Sequence, residues 1–299
     1  MNTEIVVSVV VPVRRAERTI RATLNSLLAQ RCIEPWEVIL VLSRNDPTAG
    51  LLNRDLPPPV RLLEPPGPGG VPQLRRDGVR QARGEFIVIT EDHCLYPEGW
   101  LQGLLDCMQT RGVEAAGGPV LNASSSLTGL ALYLTRYSAF LPGIEGHATE
   151  LPGNNSCYRR EALENDESWM RDGFWEAEFN QHLVRCGGRM WMSRDSAVQQ
   201  KQHRGLLEFA MLRFRHGRCY GARRIRSASR SERRKRLLTA PLIPAVLFAR
   251  IMRAVWTKRF PKLRFAAAAP LILVYVTCWA AGEITGYLAG AGNSCHSTD

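Results

Sequence analysis

The sequence predicts an α/β fold, a mostly parallel sheet flanked by helices, followed by a basic and apolar C-terminal tail. Three β-branched apolar runs have the composition of strands buried on both faces, and helical patterns separate them. Charge is divided unequally. Residues 1–200 hold 20 Lys and Arg against 24 Asp and Glu, whereas residues 201–299 hold 19 against 4. The formal net charge of +11 over 299 residues therefore comes from the last third of the chain.

The order of the apolar runs predicts repeated βα units, which is the pattern of an open parallel sheet. The stretch 57–72 is too rich in Pro and Gly for a helix and reads as a loop with a short strand. The predicted elements, in order, are a strand over 5–13, a helix over 16–30, a strand over 36–42, a strand at 60–63, a helix over 74–82 and a strand over 85–90.

The C-terminal third predicts membrane association. Residues 222–236 hold eight basic residues and one acid, and 265–282 form an uncharged run of eighteen residues, about 27 Å as a helix. We divide the chain into a domain over 1–225 and a tail over 226–299. In the tail, basic flanks favour an interfacial or re-entrant helix over 237–257, and 265–290 is the transmembrane helix.

The preferred topology is a single crossing, which leaves residues 293–299 on the far side of the membrane. The competing topology is a hairpin, which returns these residues to the near side. The third reading is a buried core helix at 265–290, since its uncharged length is at the lower threshold for a membrane span.

The eight cysteines are scattered, without a CxxC pair or a short-spaced cluster. We predict that they are reduced thiols and that residues 1–236 face the cytoplasm. The apolar run 5–13 has no cationic region before it and no cleavage site of small residues, so it reads as a strand rather than a signal peptide.

Polar residues that follow predicted strands are the first candidates for a site, because α/β sheets bind ligands beyond the carboxyl ends of their strands. Ser43 and Asp46 follow the second strand, and Glu91, Asp92 and His93 follow the third. Carboxylate and imidazole groups at this spacing can hold a divalent cation. Without that context the triplet is more often a polar turn or a helix cap.

Two further stretches carry polar side chains. Glu176 and Glu178 begin an apparent helix. Either the helix dipole simply favours acids at this end, or one of the two carboxylates is a general base. Asn154 and Asn155 occupy a glycine-led loop, either as a turn and cap or as donors to sugar hydroxyls. His203 is a lone histidine, more often a surface residue than a ligand.

In this order the motifs resemble the family 2 glycosyltransferases, which have the GT-A fold. The resemblance extends over about 3–225, with a tail similar to 279–290 in membrane-associated bacterial members. It rests on SVVVPVRRAERTIRATLNSLLAQ (8–30), RRDGVRQARGEFIVITEDHCLYPEGWL (75–101), GNNSCYRREAL (153–163), FWEAEF (174–179) and CGGRMWMSRDSAVQQKQH (186–203).

The resemblance implies a metal-dependent enzyme that uses a nucleotide-sugar donor. Its metal motif falls on Glu91, Asp92 and His93, with histidine in place of the usual second aspartate, which implies Mn²⁺ or Mg²⁺. Glu176 falls at the position of the catalytic base. The remaining expected contacts are donor binding by Pro12, Ser43, Asp46, Arg75, Asp92 and His203, and acceptor binding by Asn154, Asn155 and Glu178.

Two departures from the family pattern affect function. LVLSRND (40–46) lacks the aspartate expected to read the nucleotide base, and QHRG (202–205) lacks the QxxRW phrase of processive synthases. The second departure leads us to expect transfer of one sugar. The resemblance further implies inversion, and the tail places the reaction at the cytoplasmic face of the cell membrane. The basic tail favours anionic lipid and a lipid-linked or cell-surface glycan acceptor.

Two other function classes were weighed. A catalytically inactive GT-A scaffold at the membrane fits the missing aspartate. Nucleic-acid binding through 213–236 is disfavoured, because this basic stretch adjoins an apolar segment.

Overall fold

The structure is a computed structural model that describes residues 4–52, 56–67, 69–143, 145–165, 170–201, 204–226 and 228–296. The chain forms two compact units. Unit 1 comprises Met1–Leu121 and Pro142–Lys201, and unit 2 comprises Asn122–Leu141 and Gln202–Asp299.

Two sheets run through the described residues. The strands are β1 (Val7–Val13), β2 (Trp36–Leu42), β3 (Val60–Leu63), β4 (Phe86–Thr90), β5 (Cys94–Leu95), β6 (Ala115–Gly117), β7 (Val120–Asn122), β8 (Gly146–Ala148), β9 (Asn155–Arg159), β10 (Met190–Met192) and β11 (Val198–Gln200). The larger sheet has the order β3-β2-β1-β4-β9-β6-β10-β8, and the smaller one has the order β5-β11-β7. Only β8 and β9 run antiparallel to their neighbours in the larger sheet. The mostly parallel α/β sheet predicted from the sequence is confirmed.

The helices described by the structure are α1 (Ile20–Leu28), α2 (Val71–Gln81), α3 (Trp100–Arg111), α4 (Leu127–Tyr137), α5 (Arg160–Glu164), α6 (Glu176–Arg185), α7 (Leu206–Arg224), α8 (Arg230–Thr239), α9 (Ile243–Thr257) and α10 (Lys262–Ala289). Short 3-10 turns lie at Pro47–Leu51, Ser138–Phe140, Ala240–Leu242 and Ser294–His296.

The core of unit 1 is the N-terminal half of the larger sheet. All seven residues of β1 are buried, and β1 pairs in parallel with β2 on one side and β4 on the other. A Cβ added at Gly78 of α2 would lie 2.4 Å from a methyl group of Val10, so only glycine lets this helix pack so closely on the sheet. This packing fixes α2 above the strands whose ends form the site.

A buried acid links these strands at their amino-terminal ends, away from the site. Glu37 of β2 accepts hydrogen bonds from Ser8 at 2.7 Å and from the guanidinium groups of Arg61 and Arg83 at 2.8 and 2.7 Å. Burial opposes the charged carboxylate, but the hydrogen bonds from Arg83, Arg61 and Ser8 outweigh it and lower the pKa of Glu37 to about 2.

Unit 2 is built on a close crossing of α7 and α10. Gly217 and Gly221 of α7 face Gly282 and Gly286 of α10, and a Cβ added at each would lie 2.0–2.4 Å from a backbone oxygen of the opposite helix. Small residues at this four-residue spacing allow two helix backbones to touch.

The prediction that all eight cysteines are reduced is wrong for two of them. Cys219 of α7 forms a disulfide with Cys295, and their Cα atoms are 5.0 Å apart. The two residues are 76 positions apart, so no spacing rule identifies the pair. The other six cysteines are free thiols.

Two helical segments are long and apolar enough to cross a membrane, by length and composition. They are Arg230–Thr257, which includes α8 and α9, and Lys262–Ala289, which is α10. This is weak support for the expected membrane-associated tail.

Candidate active site

The acidic triplet follows β4, as expected from the sequence, and is attached to the end of β1. The backbone N–H of Arg14 donates to Asp92 Oδ2 over 2.8 Å. The hydroxyl of Thr23 donates to the backbone oxygen of Asp92 over 2.9 Å. The carboxyl ends of two adjacent parallel strands therefore meet at Asp92, in the position where α/β sheets bind their ligands.

Arg75 of α2 joins two acids that are distant in sequence. Its Nη2 donates to Glu91 Oε1 over 2.9 Å, and its Nη1 donates to Glu176 Oε2 over 2.6 Å. Nη2 also donates to the carbonyl oxygen of Gly153 over 2.8 Å. The Arg75 side chain is 4% exposed, so its charge is stabilised by these two carboxylates rather than by water.

His93 lies between the two carboxylates that precede it. Its Nδ1 is 2.9 Å from Asp92 Oδ1, and its Nε2 is 3.0 Å from Glu91 Oε2. Burial disfavours the charged imidazolium, but the hydrogen bonds to Asp92 and Glu91 outweigh burial and raise the pKa of His93 to about 9. In this arrangement His93 donates a proton to each acid.

Glu91 and His93 are the residues that could hold a divalent cation, since carboxylate and imidazole are ligands that Mn²⁺ accepts. Their Oε2 and Nε2 atoms are 3.0 Å apart and hydrogen-bonded, so a cation would have to displace the proton between them. Asp92 on Nδ1 is the partner that orients a metal-bound histidine. No group of three or more His, Cys, Asp or Glu arranged to hold an ion occurs in the described part of the chain. A cation would therefore take its other ligands from substrate phosphates and water.

Glu176 and Glu178 occupy the first turn of α6 and point differently, as their two-residue spacing predicts. Glu176 is half-buried against Arg75, whereas Glu178 is exposed. A Cβ added at Gly153 would lie 2.4 Å from Glu176 Oε1, so the glycine leaves the space that this carboxylate fills. Gly153 and the bridging role of Arg75 were missed in the sequence because no local pattern links positions 75, 153 and 176.

The asparagines of the glycine-led loop are both buried but differ in their bonds. Asn155 Oδ1 accepts from Trp100 Nε1 over 2.8 Å, and its Nδ2 donates to the backbone oxygens of Ser196 and Pro119. Asn154 Oδ1 has no hydrogen-bond partner among the described residues. Asn155 therefore holds the loop in place, whereas Asn154 Oδ1 is buried without a hydrogen bond to any described residue.

The residues predicted to contact the donor near β1 and β2 also hold the two strand ends together. Asp46 Oδ1 accepts from the Thr48 backbone and hydroxyl, and Oδ2 accepts from the Arg15 N–H over 2.8 Å. Ser43 is half-buried, with its hydroxyl 3.5 Å from the carbonyl oxygen of Gly69. Pro12 is buried in β1. His203 lies outside the described residues.

The fold and this acidic site define a glycosyltransferase with the GT-A architecture. The chain belongs to the glycosyl transferase family 2, whose family model matches residues 8–166, more than half of its length. A comparison with curated protein sequences finds no match.

Solved structures support the same fold at low sequence identity. A mannosyltransferase from Pyrobaculum calidifontis, PcManGT in complex with GDP-Man and Mn²⁺, has a TM-score of 0.57 and 18% identity, with 93% of this chain and 86% of that chain covered. TarS 1-349 from S. aureus in complex with UDP-GlcNAc has a TM-score of 0.50 and 15% identity, with coverage of 94% and 91%. GalNAc-T7 with UDP, GalNAc and Mn²⁺ has a TM-score of 0.50 and 13% identity, with coverage of 67% and 44%.

Proposed function

We propose that the protein transfers one sugar from a nucleotide-sugar donor to a hydroxyl of a lipid-linked or cell-surface glycan, with inversion and with a divalent cation. The observation that carries this proposal is the Arg75 bridge, which holds the acid of the metal motif and the acid of α6 in one site. Glu91, of the metal motif, serves the leaving group, and Glu176, of α6, serves the acceptor.

Glu176 is the general base of the proposed reaction. Its Oε2 is held by Arg75 at 2.6 Å, and its side chain is 31% exposed, so the carboxylate is only partly covered. The hydroxyl loses its proton to Glu176 as its oxygen bonds to the anomeric carbon, and the nucleoside diphosphate departs from the opposite face. Arg75 positions this base, in addition to its expected place near the donor phosphates.

Glu91 and His93 would hold the cation, and Asp92 would orient His93. When bound, Mn²⁺ or Mg²⁺ supplies positive charge that stabilises the departing diphosphate. Pro12, Ser43 and Asp46 stay the proposed donor contacts near the ends of β1 and β2. His203 is the proposed donor contact on the chain beyond β11.

Asn154 and Glu178 are the proposed acceptor contacts, and the structure of Asn155 argues for a framework role instead. The buried Oδ1 of Asn154 gains a hydrogen bond if a sugar hydroxyl reaches it, and Glu178 is exposed next to the base. The exposed acid suits a polar glycan.

We further propose that the tail binds the cytoplasmic face of the cell membrane as a hairpin. α10 packs along α7 at the glycine contact described above. Because α7 is too rich in arginine to cross a bilayer, this packing favours a tail that returns to the near side over the single crossing. Exposed Leu242, Val246 and Trp256 of α9 supply apolar contacts for lipid.

The test is release of UDP, GDP or dTDP from a panel of nucleotide sugars by detergent-purified protein, with and without Mn²⁺. We expect metal-dependent release that Glu176→Gln lowers by about 10²- to 10⁴-fold. Glu161→Gln is the matched control, because Glu161 lies in the first turn of α5 as Glu176 lies in the first turn of α6, but Glu161 is exposed. His93→Ala should lower the response to Mn²⁺.

The alternative of an inactive scaffold predicts a different outcome. A folded protein that neither binds nor cleaves any donor of the panel would support that alternative and reject the enzyme. Full turnover by Glu176→Gln would reject the assignment of the base alone.

A further inference from the structure

Strands β4 and β9 form a fork, and its two branches carry the two halves of the candidate active site. The strands pair in antiparallel fashion, and Thr90 opposite Asn155 is the last pair of the ladder. Beyond this pair one branch continues into Glu91 and the metal motif, whereas the other comes from Gly153, beside the carboxylate of Glu176. The separation of the two acids therefore depends on how far the branches open beyond the last pair.

Two buried hydroxyls join the branches at this point. Thr90 Oγ1 donates to the carbonyl oxygen of Asn154 over 2.9 Å and is 2.6 Å from Tyr96 Oη. Tyr96 Oη is also 3.1 Å from the carbonyl oxygen of Glu91. Because Thr90 gives its proton to Asn154, Tyr96 donates its own proton to Thr90 or to Glu91. Both side chains are buried, so water does not compete for these contacts.

The ring of Tyr96 is held by a second aromatic residue. It stacks on Trp100 with the ring centres 4.3 Å apart, and Trp100 Nε1 is the donor to Asn155 described above. Tyr96 and Trp100 therefore hold two consecutive asparagines, Asn154 through the hydroxyl of Thr90 and Asn155 directly. The start of β9 is thus fixed by packed rings rather than by flexible side chains.

Arg75 also joins the branches, because its Nη2 donates to Glu91 Oε1 and to the carbonyl oxygen of Gly153. This link is charged, and Arg75 is expected near the donor phosphates. A guanidinium that turns towards a phosphate gives up one of its present bonds. The hydroxyls of Thr90 and Tyr96 are uncharged and bond backbone oxygens, so a bound phosphate does not compete for them.

We propose that Thr90 and Tyr96 are positioning residues, which hold Glu91 and the loop 151–154 at the separation that sugar transfer needs. Neither side chain touches the reacting atoms, and each acts through the backbone of a neighbour. The inference rests on the proposed function for the roles of Glu91 and Glu176. The hydrogen-bonded link itself does not depend on those roles.

The first experiment compares two substitutions of Thr90. Thr90→Val keeps the shape of the side chain and removes the hydroxyl, whereas Thr90→Ser removes a buried methyl group and keeps the hydroxyl. The assay is release of nucleoside diphosphate from nucleotide sugars at saturating Mn²⁺, with a thermal melt of each variant. Thr90→Val should lower kcat by at least about tenfold and change KM for the donor by less than about twofold. Thr90→Ser should keep most of the wild-type kcat even though it melts at a lower temperature.

The partner hydroxyl and a matched control complete the set. Tyr96→Phe should lower kcat by a similar factor, and combining it with Thr90→Val should cost little more, because the two hydroxyls form one link. Tyr133→Phe is the control, since it removes the hydroxyl of a buried tyrosine from α4 of unit 2. Its kcat should equal that of the wild type.

Hydrogen exchange followed by mass spectrometry gives a readout that needs no activity. The backbone N–H of Asn155 donates to the carbonyl oxygen of Pro152 over 3.0 Å, which protects it while the loop is held. The peptide that contains residues 151–155 should exchange faster in Thr90→Val than in the wild type and in Thr90→Ser.

Two activity outcomes would overturn the proposal. One is a full kcat in both Thr90→Val and Tyr96→Phe. The other is a kcat that follows the melting temperature in every variant, Thr90→Ser included, because the hydroxyls would then only stabilise the fold. If the wild type releases no nucleoside diphosphate, the proposed function fails. In that case unchanged exchange in Thr90→Val overturns the link as well, whereas faster exchange supports it as the holder of the loop.

Discussion

Adding one carbon at Gly153 should separate activity from stability. In Gly153→Ala, the new Cβ would lie 2.4 Å from Oε1, 2.5 Å from Cδ and 2.8 Å from Cγ of Glu176. Carbon atoms at van der Waals contact are about 3.5–4.0 Å apart, so the carboxylate must withdraw by about 1 Å. The Glu176 side chain is 31% exposed and free to rotate, so the fold changes little, but its 2.6 Å bond to Arg75 breaks.

The expected result is a fall in kcat of about 10²-fold, the usual cost of misplacing a reacting group by about 1 Å. The melting temperature should fall by only about 3–6 °C, because the buried Arg75 loses one charged hydrogen bond, worth about 1.5 kcal/mol, but keeps its bond to Glu91. The assay is release of nucleoside diphosphate at saturating donor and Mn²⁺, together with a thermal melt. Gly99→Ala is the control, since its Cβ would meet no atom within 4 Å.

The same substitution in a Glu176→Asp variant tests whether the clash with Glu176 is the cause. Glu176→Asp is one methylene shorter, so Gly153→Ala should cost less in that background than in the wild type. The reasoning is refuted if Gly153→Ala keeps more than half of the wild-type kcat. It is also refuted if the variant melts more than about 10 °C lower, because the backbone would then be absorbing the clash.

Three further predictions concern charge, covalent linkage and metal. The pKa of Glu37 is about 2 in the folded chain against 4.5 for an unperturbed glutamate, so its contribution to stability is present above about pH 4.5 and is lost as the pH falls towards 2. Urea unfolding at several pH values should therefore show about 3 kcal/mol less loss of stability in acid for Glu37→Gln than for the wild type. A reductant should lower the melting temperature of the wild type but not of Cys295→Ser, because the disulfide contributes about 2–4 kcal/mol. Calorimetric Mn²⁺ affinity should rise with pH towards 9, since a proton and the cation compete for Nε2 of His93, and an affinity independent of pH would contradict that ligand.

The fold of the first ninety residues could be predicted because its signals are local. β-branched runs such as VSVVVPV identify strands buried on both faces, and β2 and β3 have the predicted bounds. The first helix is shorter than its apolar pattern, since α1 begins at Ile20 instead of residue 16. The turn before it places Arg15 at a positive φ of 51° and ties its N–H to Asp46, which a pattern of apolar residues does not encode.

The candidate site could be located from the sequence but its internal bonding could not. Position alone puts Glu91, Asp92 and Glu176 among the candidates, because each follows a strand or begins a helix. The ion pair of Arg75 with Glu176 spans 101 positions and depends on how α2 and α6 pack in unit 1. The framework role of Asn155 likewise depends on a buried Trp100, for which the loop sequence gives no signal.

The glycine contact between α7 and α10 limits where the chain can be truncated to obtain a protein that is soluble without detergent. A version that ends at residue 225, the predicted domain boundary, would keep Gly217 and Gly221 but remove the helix whose backbone covers them. It would also leave the thiol of Cys219 without Cys295 and expose an apolar groove, which promotes aggregation. Shortened chains should therefore continue through Cys295, because an end before Leu206 would uncover α4, which also packs on α10.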